Sequence, residues 1–331
     1  MMASLAPFRP AWWLNGQHLQ TLYPALCRCP PRLVRRRETL ITNDHDFLDL
    51  DHYDDDHDRP LAILLHGLSG SSNSVYILGL QHALSLHDIA SVAMNFRGCS
   101  GHPNRLARSY HSGETEDIDF VYRTLRKRYP RRTLYAVGFS LGGNVLLKWL
   151  GERGNELTLA AAASVCAPLV LSECATRMDQ GFSRIYRNNL LRELKHYIAE
   201  KQRHLEHIGA TDEAEKLREL GDLSSIQSFW QYDDRVVARI HGFASAEDYY
   251  RRSSAKSFLR TIRVPTLLIQ AADDPFMTSA VLPSPAELAN SINFELYPRG
   301  GHVGFVAARH GVLPDYWLER RIPAFLSQPG P

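Results

Sequence analysis

The spacing of apolar residues divides the chain before any motif is considered. From residue 61 onward, short uninterrupted apolar runs alternate with amphipathic stretches. Leu61-Ala62-Ile63-Leu64-Leu65 opens the series, and residues 89–94, 133–137, 159–165 and 264–269 continue it. Runs this short, with no polar alternation, suit strands covered on both faces. Between them, residues 75–86, 114–128 and the stretch from 144 to 150 read as helices. The clearest is 114–128. Glu114, Glu116 and Asp117 sit in its first turn, Ile118, Val121, Tyr122 and Leu125 along one face, and Lys127 and Arg128 at its end. That charge order complements the helix dipole at both ends. Strand and helix in alternation predict a mostly parallel central sheet flanked by helices.

The alternation pauses at Pro168. Residues 168–260 contain no strand pattern, and 188–220 are charged and helical, with Leu190, Leu191, Leu194, Ile198 and Leu205 at helical spacing. A last strand at 292–297 precedes a closing helix near 315–326. The expected organisation is an α/β core of residues 61–167 and 261–331, a helical cap inserted at 168–260, and a lead-in of residues 1–60 packed on the core. Within the lead-in, the large apolar groups between Trp12 and Leu22 are expected to pack inward. The tract from Asp44 to Asp58, dense in Asp and His, is expected to form a solvated hairpin between two strands.

Composition changes this picture little. The chain has 331 residues, 44% apolar and 22% charged, with a formal charge of +2. These values are ordinary for a globular protein, and so small a charge argues against nucleic acid as a partner. The basic runs Arg35-Arg36-Arg37 and Arg131-Arg132 are expected to be solvated surface. Cys27, Cys29, Cys99, Cys166 and Cys174 are odd in number and make neither a disulfide ladder nor a zinc motif. They read as thiols in a reducing compartment, which points to the cytoplasm. Residues 1–10 lack the pattern of a secretory signal, and no apolar run approaches the ~20 residues of a membrane helix. Peripheral membrane contact and oligomeric state are left open.

Chemistry is carried by Gly138-Phe139-Ser140-Leu141-Gly142, a match to G-x-S-x-G directly after an apolar strand and before a helix. The turn is tight, so small residues must flank it, and it lifts the Ser140 hydroxyl above the strand ends. A serine needs a base to take its proton. In strand–serine–helix folds of this kind an acid follows the serine in the chain and the base comes last. His302, in Gly300-Gly301-His302-Val303-Gly304-Phe305 after the last predicted strand, is the candidate base. Asp273 and Asp274 compete for the acid. A count of seven from Leu267 favours Asp274 and leaves Asp273 to structure the turn. His66-Gly67-Leu68-Ser69-Gly70 follows the first core strand, where backbone N–H groups of Leu68 and Leu141 would meet a developing oxyanion. His66 itself is expected to brace that loop. No metal or organic cofactor is required.

These motifs, with Asn95-Phe96-Arg97-Gly98-Cys99-Ser100-Gly101, Tyr110-His111-Ser112-Gly113-Glu114-Thr115-Glu116-Asp117 and the lead-in from Trp13 to Pro24, resemble the YheT family of α/β-hydrolases. That family is related to ABHD-type esterases and phospholipases and to yeast medium-chain ester synthases. The resemblance spans nearly the whole chain. It implies the α/β-hydrolase fold and a serine hydrolase acting on small or lipid-like carboxylic esters of short- to medium-chain acyl groups. The segment 95–117 would support the wall of the site. Acyl transfer to an alcohol through the same triad is the near alternative, and a non-catalytic scaffold of the same fold the distant one. Neither G-x-G-x-x-G after a strand nor G-x-x-x-x-G-K-[ST] occurs, which ranks nucleotide binding last. Dehalogenase chemistry would want a carboxylate at position 140.

Overall fold

A computed structural model describes residues 6–328, so the first five residues of the lead-in lie outside the described residues. The lead-in contributes helix α1 (Gln17–Cys27) and strands β1 (Arg36–Ile41) and β2 (Phe47–Tyr53). The core follows with β3 (Leu61–Leu65), α2 (Val75–Ser85), β4 (Ala90–Met94), α3 (Glu116–Arg128), β5 (Leu134–Phe139), α4 (Leu141–Arg153) and β6 (Ala161–Val165). The insertion holds α5 (Leu171–Met178), α6 (Ser183–His207), α7 (Thr211–Arg218), α8 (Phe229–Tyr232), a π-helical segment (Asp233–Ala238), α9 (Arg239–His241) and α10 (Ala246–Ser253). Strands β7 (Thr266–Ala271), β8 (Ile292–Tyr297), β9 (Val306–Arg309) and β10 (Leu313–Tyr316) and helix α11 (Leu318–Ser327) complete the chain.

Eight strands form one sheet in the order β1-β2-β4-β3-β5-β6-β7-β8. β3 to β8 run parallel, while β1 and β2 join antiparallel at one edge. Every residue of β3, β4, β5 and β6 is buried, which explains their unbroken apolar character. The two faces divide the strand residues by parity. Leu61, Ile63 and Leu65 face Ile118, Val121 and Leu125 of α3 and the apolar side chains of α4. Ala62 and Leu64 face Ile77 and Leu80 of α2 and Ile322 and Phe325 of α11. The insertion has an apolar cluster of its own, in which Leu191, Leu194 and Ile198 of α6 meet Leu217 and Val236.

The structure corrects four expectations. The Asp44–Asp58 tract is not a solvated hairpin. β2 pairs with β4, with Leu50 opposite Met94, so alternate residues of β2 point to opposite faces and Asp49 and Asp51 become buried. Asp46 is fully buried and accepts hydrogen bonds from Arg97, Asn104 and the backbone N–H of Arg105. The basic runs are not simply solvated surface either. Arg37 grips Asp51 with two hydrogen bonds of 2.9 Å, and Arg132 is buried against Asp55 and the carbonyls of Asp56 and Arg59. Ala11 and Leu14 pack inward as expected, but Trp12 is 72% exposed, its indole N–H donating to the carbonyl of Gly311. Finally, 292–297 is not the last strand. β9 and β10 pair as a separate antiparallel ribbon, each only four residues long, too short to print a period on the sequence.

Segment 95–117 is held by the same carboxylates. Arg97 makes a bidentate pair with Asp117 and also reaches Asp44 and Asp46. Asn95 donates to the carbonyl of Asp49 and accepts from the N–H of Ser72. The segment thereby ties β2 to the loop that follows β3.

Candidate active site

β5 ends at Phe139 and α4 begins at Leu141, leaving a single residue to reverse the chain. Ser140 does so at φ 52° and ψ −121°, a conformation that costs a non-glycine residue on the order of 1–3 kcal/mol and marks functional turns. The glycines around it are fixed by contact. A Cβ on Gly138 would lie 2.3 Å from the carbonyl oxygen of Gly142, and one on Gly142 would lie 2.4 Å from that of His66. Asn144 secures the start of α4, donating to the carbonyls of Ser112 and Ser253 and accepting from the N–H of Ala255. The serine helix is thus tied both to segment 95–117 and to the chain returning from the insertion.

His302 lies with Nε2 2.8 Å from Ser140 Oγ and Nδ1 2.7 Å from Asp274 Oδ2. Asp274 is buried, and its other oxygen accepts from the N–H of Phe276 at 2.8 Å. Phe276 stacks on the imidazole at 4.1 Å between ring centres. The neighbouring Asp273 is turned away and accepts from the N–H of Gly301 at 2.9 Å. Burial pushes its carboxyl above the ordinary value. Of the two aspartates, Asp274 is therefore the one beside the imidazole.

The loop after β3 approaches from the other side. The N–H of Gly67 donates to Tyr76 Oη and that of Ser69 to Tyr110 Oη. Between them the N–H of Leu68 has no protein partner among the described residues, and neither has that of Leu141 at the head of α4. Both residues line the same cavity as Ser140 and His302. His66 is fully buried, one ring nitrogen 2.8 Å from the carbonyl of Gly67 and the other accepting from the N–H of Phe96 at 3.1 Å. Burial pushes its pKa down to about 4, so the ring is neutral and acts as a strut between β3 and β4.

Sequence reasoning missed the supports of the His302 loop. Thr21 Oγ1 accepts from the N–H of His302 at 2.9 Å. Gln20, wholly buried on α1, accepts from the N–H of Val306 and donates to its carbonyl. Gly304 packs directly on α1, where a Cβ would lie 2.2 Å from the carbonyl oxygen of Gln20. Nothing in the sequence set Gln20 and Thr21 apart from the other polar residues of that stretch, Asn15, Gln17 and His18.

Two cavities meet at Ser140 and His302. One, of about 140 Å³, runs into the insertion between Leu171, Met178, Leu194 and Val236. The other, of about 350 Å³, runs toward Pro24, Tyr76 and Tyr316 on the side of α1 and α2. Cys166, Asp274 and His302 also bring donor atoms within 4.8 Å of one another, the closest approach to a metal-ligand set among the described residues. Burial and the Asp274 charge hold the Cys166 thiol well above its ordinary pKa. Both imidazole nitrogens are engaged, by Asp274 and Ser140. The donor chemistry fits a proton relay better than a cation.

Comparison with known proteins bears on the family and the fold. The profile of the alpha/beta hydrolase fold family matches residues 60–307. The chain is 41% identical to YheT of Escherichia coli (strain K12) over 98% of its own length and 94% of that protein. It is 27% identical to the phospholipase ABHD3 of Mus musculus over 93% of its length and 74% of that chain. It is 30% identical to the medium-chain fatty acid ethyl ester synthase/esterase 2 of Saccharomyces cerevisiae over 82% of its length and 62% of that chain. Among solved structures, the Pyrococcus furiosus esterase Pf2001 superposes with a TM-score of 0.54 at 17% identity, covering 91% of this chain and all of that one.

Proposed function

This chain belongs to the α/β-hydrolase fold family and within it to the YheT-like esterases, and on that premise we propose that it cleaves carboxylic esters of short- to medium-chain acyl groups through Ser140, His302 and Asp274. The observation that carries this reading is the unbroken line of contacts from Asp274 through the imidazole to Ser140 Oγ. As Ser140 Oγ attacks the ester carbonyl, its proton passes to His302 Nε2. Asp274 fixes the tautomer by accepting the Nδ1 proton and stabilises the imidazolium. The N–H groups of Leu68 and Leu141 hold the oxyanion, each typically worth about 3–4 kcal/mol. His302 returns the proton to the leaving alcohol, then takes one from the attacking water and delivers it to Ser140 Oγ as the acyl–serine bond breaks, releasing the carboxylic acid.

The apolar cavity inside the insertion serves as the acyl chamber, with residues 168–260 as its cap. The second cavity receives the alcohol. An alcohol held there in place of water would turn hydrolysis into acyl transfer. The substrate is a small-molecule or lipid-like ester. No helix among the described residues is long and apolar enough to cross a membrane. The five free thiols favour a cytoplasmic setting.

The test is hydrolysis of p-nitrophenyl esters from acetate to dodecanoate by wild type and Ser140→Ala, with fluorophosphonate labelling of Ser140. Loss of both hydrolysis and labelling in the variant is the expected result, with a rate maximum at short or medium chains. A wild type that neither hydrolyses nor labels would overturn the reading.

A further inference from the structure

The acyl chamber has polar wall residues that a plain hydrocarbon chain does not explain. Residues 229–241 run as a continuous helix whose middle, Asp233–Ala238, is wound in π geometry. Such turns re-aim side chains and recur at functional sites. Here the turn separates two adjacent aspartates. Asp234 accepts from the N–H of Ala246 at 3.0 Å and so secures the start of α10. Asp233 instead lines the chamber that holds Ser140 and Leu141.

Asp233 is incompletely satisfied. Its Oδ2 accepts from Tyr250 Oη at 2.6 Å, and its Oδ1 has no hydrogen-bond partner among the described residues. No arginine, lysine or histidine among the described residues forms an ion pair with it. Burial pushes its carboxyl up to about 7, yet the residue retains accessible surface. Deep placement and an accessible face agree when the face opens on an internal chamber. His241, on the same helix, also lines the chamber and also has no hydrogen-bond partner among the described residues. Burial pushes its pKa down to about 2, so it is neutral. A hydrocarbon chain lying in this chamber would leave Asp233 Oδ1 without any donor, which is unfavourable in an apolar enclosure.

We infer that the acyl chamber selects acyl chains bearing a hydroxyl group, which donates its proton to Asp233 Oδ1. This deepens the esterase reading and rests on it. Asp233 is a specificity residue, separate from the bond-breaking groups.

The test reads binding, so that it stands apart from turnover. Ser140→Ala protein is titrated with fatty acids and with hydroxy fatty acids of equal length, the hydroxyl being moved along the chain. At one hydroxyl position the hydroxy acid binds about tenfold more tightly than the plain acid, the gain of one hydrogen bond to an enclosed acceptor that is otherwise unpaired. Adding Asp233→Leu inverts that order, weakening the hydroxy acid and tightening the plain one. Asp233→Asn, which keeps an acceptor, gives an intermediate preference. Tyr250→Phe removes the internal contact and leaves the preference standing. Equal or weaker binding of the hydroxy acid at every position, no binding of either acid, or an equal loss for both acids in Asp233→Leu overturns the inference. Failure of the esterase reading shows separately, as a wild type inert toward every p-nitrophenyl ester.

Discussion

Gln20 holds both backbone groups of Val306, accepting from its N–H at 2.8 Å and donating to its carbonyl at 3.0 Å. One side chain on α1 therefore fixes the far end of the loop that carries His302. Gln20→Leu should strand the buried N–H of Val306 and the carbonyl of Leu14, at about 1–3 kcal/mol each before relaxation, while the Val306 carbonyl keeps the N–H of Ala11. The expected outcome is a lower unfolding midpoint in urea and a fall in kcat larger than the change in KM. Thr21→Val, which removes the acceptor for the His302 N–H, should lower kcat with a smaller loss of stability.

The two adjacent aspartates separate by role. Asp274→Asn deprives the imidazole of its carboxylate and should lower kcat by about 10⁴-fold, with near-native thermal stability. Asp273→Asn keeps an oxygen to accept from the Gly301 N–H and should cost about tenfold or less in rate. Steady-state kinetics of both variants on one ester check this, and equal losses would refute the assignment.

Asp51 makes stability depend on acid pH. Burial raises its pKa, but hydrogen bonds from Arg37, Ser72 and Asn95 outweigh burial and hold it down to about 2. A depressed carboxylate stabilises the fold above its unfolded value and loses that contribution as pH falls through the folded value. The contribution, about 2 kcal/mol, should be complete above about pH 5 and largely lost by about pH 2. Urea unfolding at pH 6 and pH 2 should show Asp51→Asn less stable than wild type at the first pH, and the gap closing at the second.

Arg97 faces three carboxylates at once, Asp44, Asp46 and Asp117. Arg97→Met would leave buried Asp46 and Asp117 without their cation, at about 3–5 kcal/mol. We expect loss of soluble protein at 37 °C. At low temperature, activity should survive in whatever fraction folds, because none of these groups touches Ser140. Melting curves alongside activity per folded molecule separate the two effects.

The parallel core was legible because strands buried on both faces leave unbroken apolar runs, as in β3 and β5. Ser140 and His302 were legible because the geometry that presents them demands glycines at fixed offsets. Asp274 required a count along β7. The edge strands were harder to read. In β2 the period-two alternation of Leu48, Asp49, Leu50 and Asp51 was plain, but its charges suggested water, and only Arg37, gripping Asp51, and Thr39, donating to Asp49, make their burial tolerable. Gln20 and Thr21 were illegible as supports, since their partners lie at the opposite end of the chain. Asp233 was hidden for another reason. A π-turn adds one residue to a helical repeat and leaves no mark in composition.

The contact between Gln20 and Val306 also sets an order of events at the ribosome. Its two ends are 286 positions apart, and everything between them, insertion included, must be synthesised before they can meet. A nascent chain can shape the Ser140 turn from β5 and α4 long before the His302 loop has its anchor. Under the proposed mechanism, a chain cut before residue 302 would carry Ser140 without the imidazole that takes its proton.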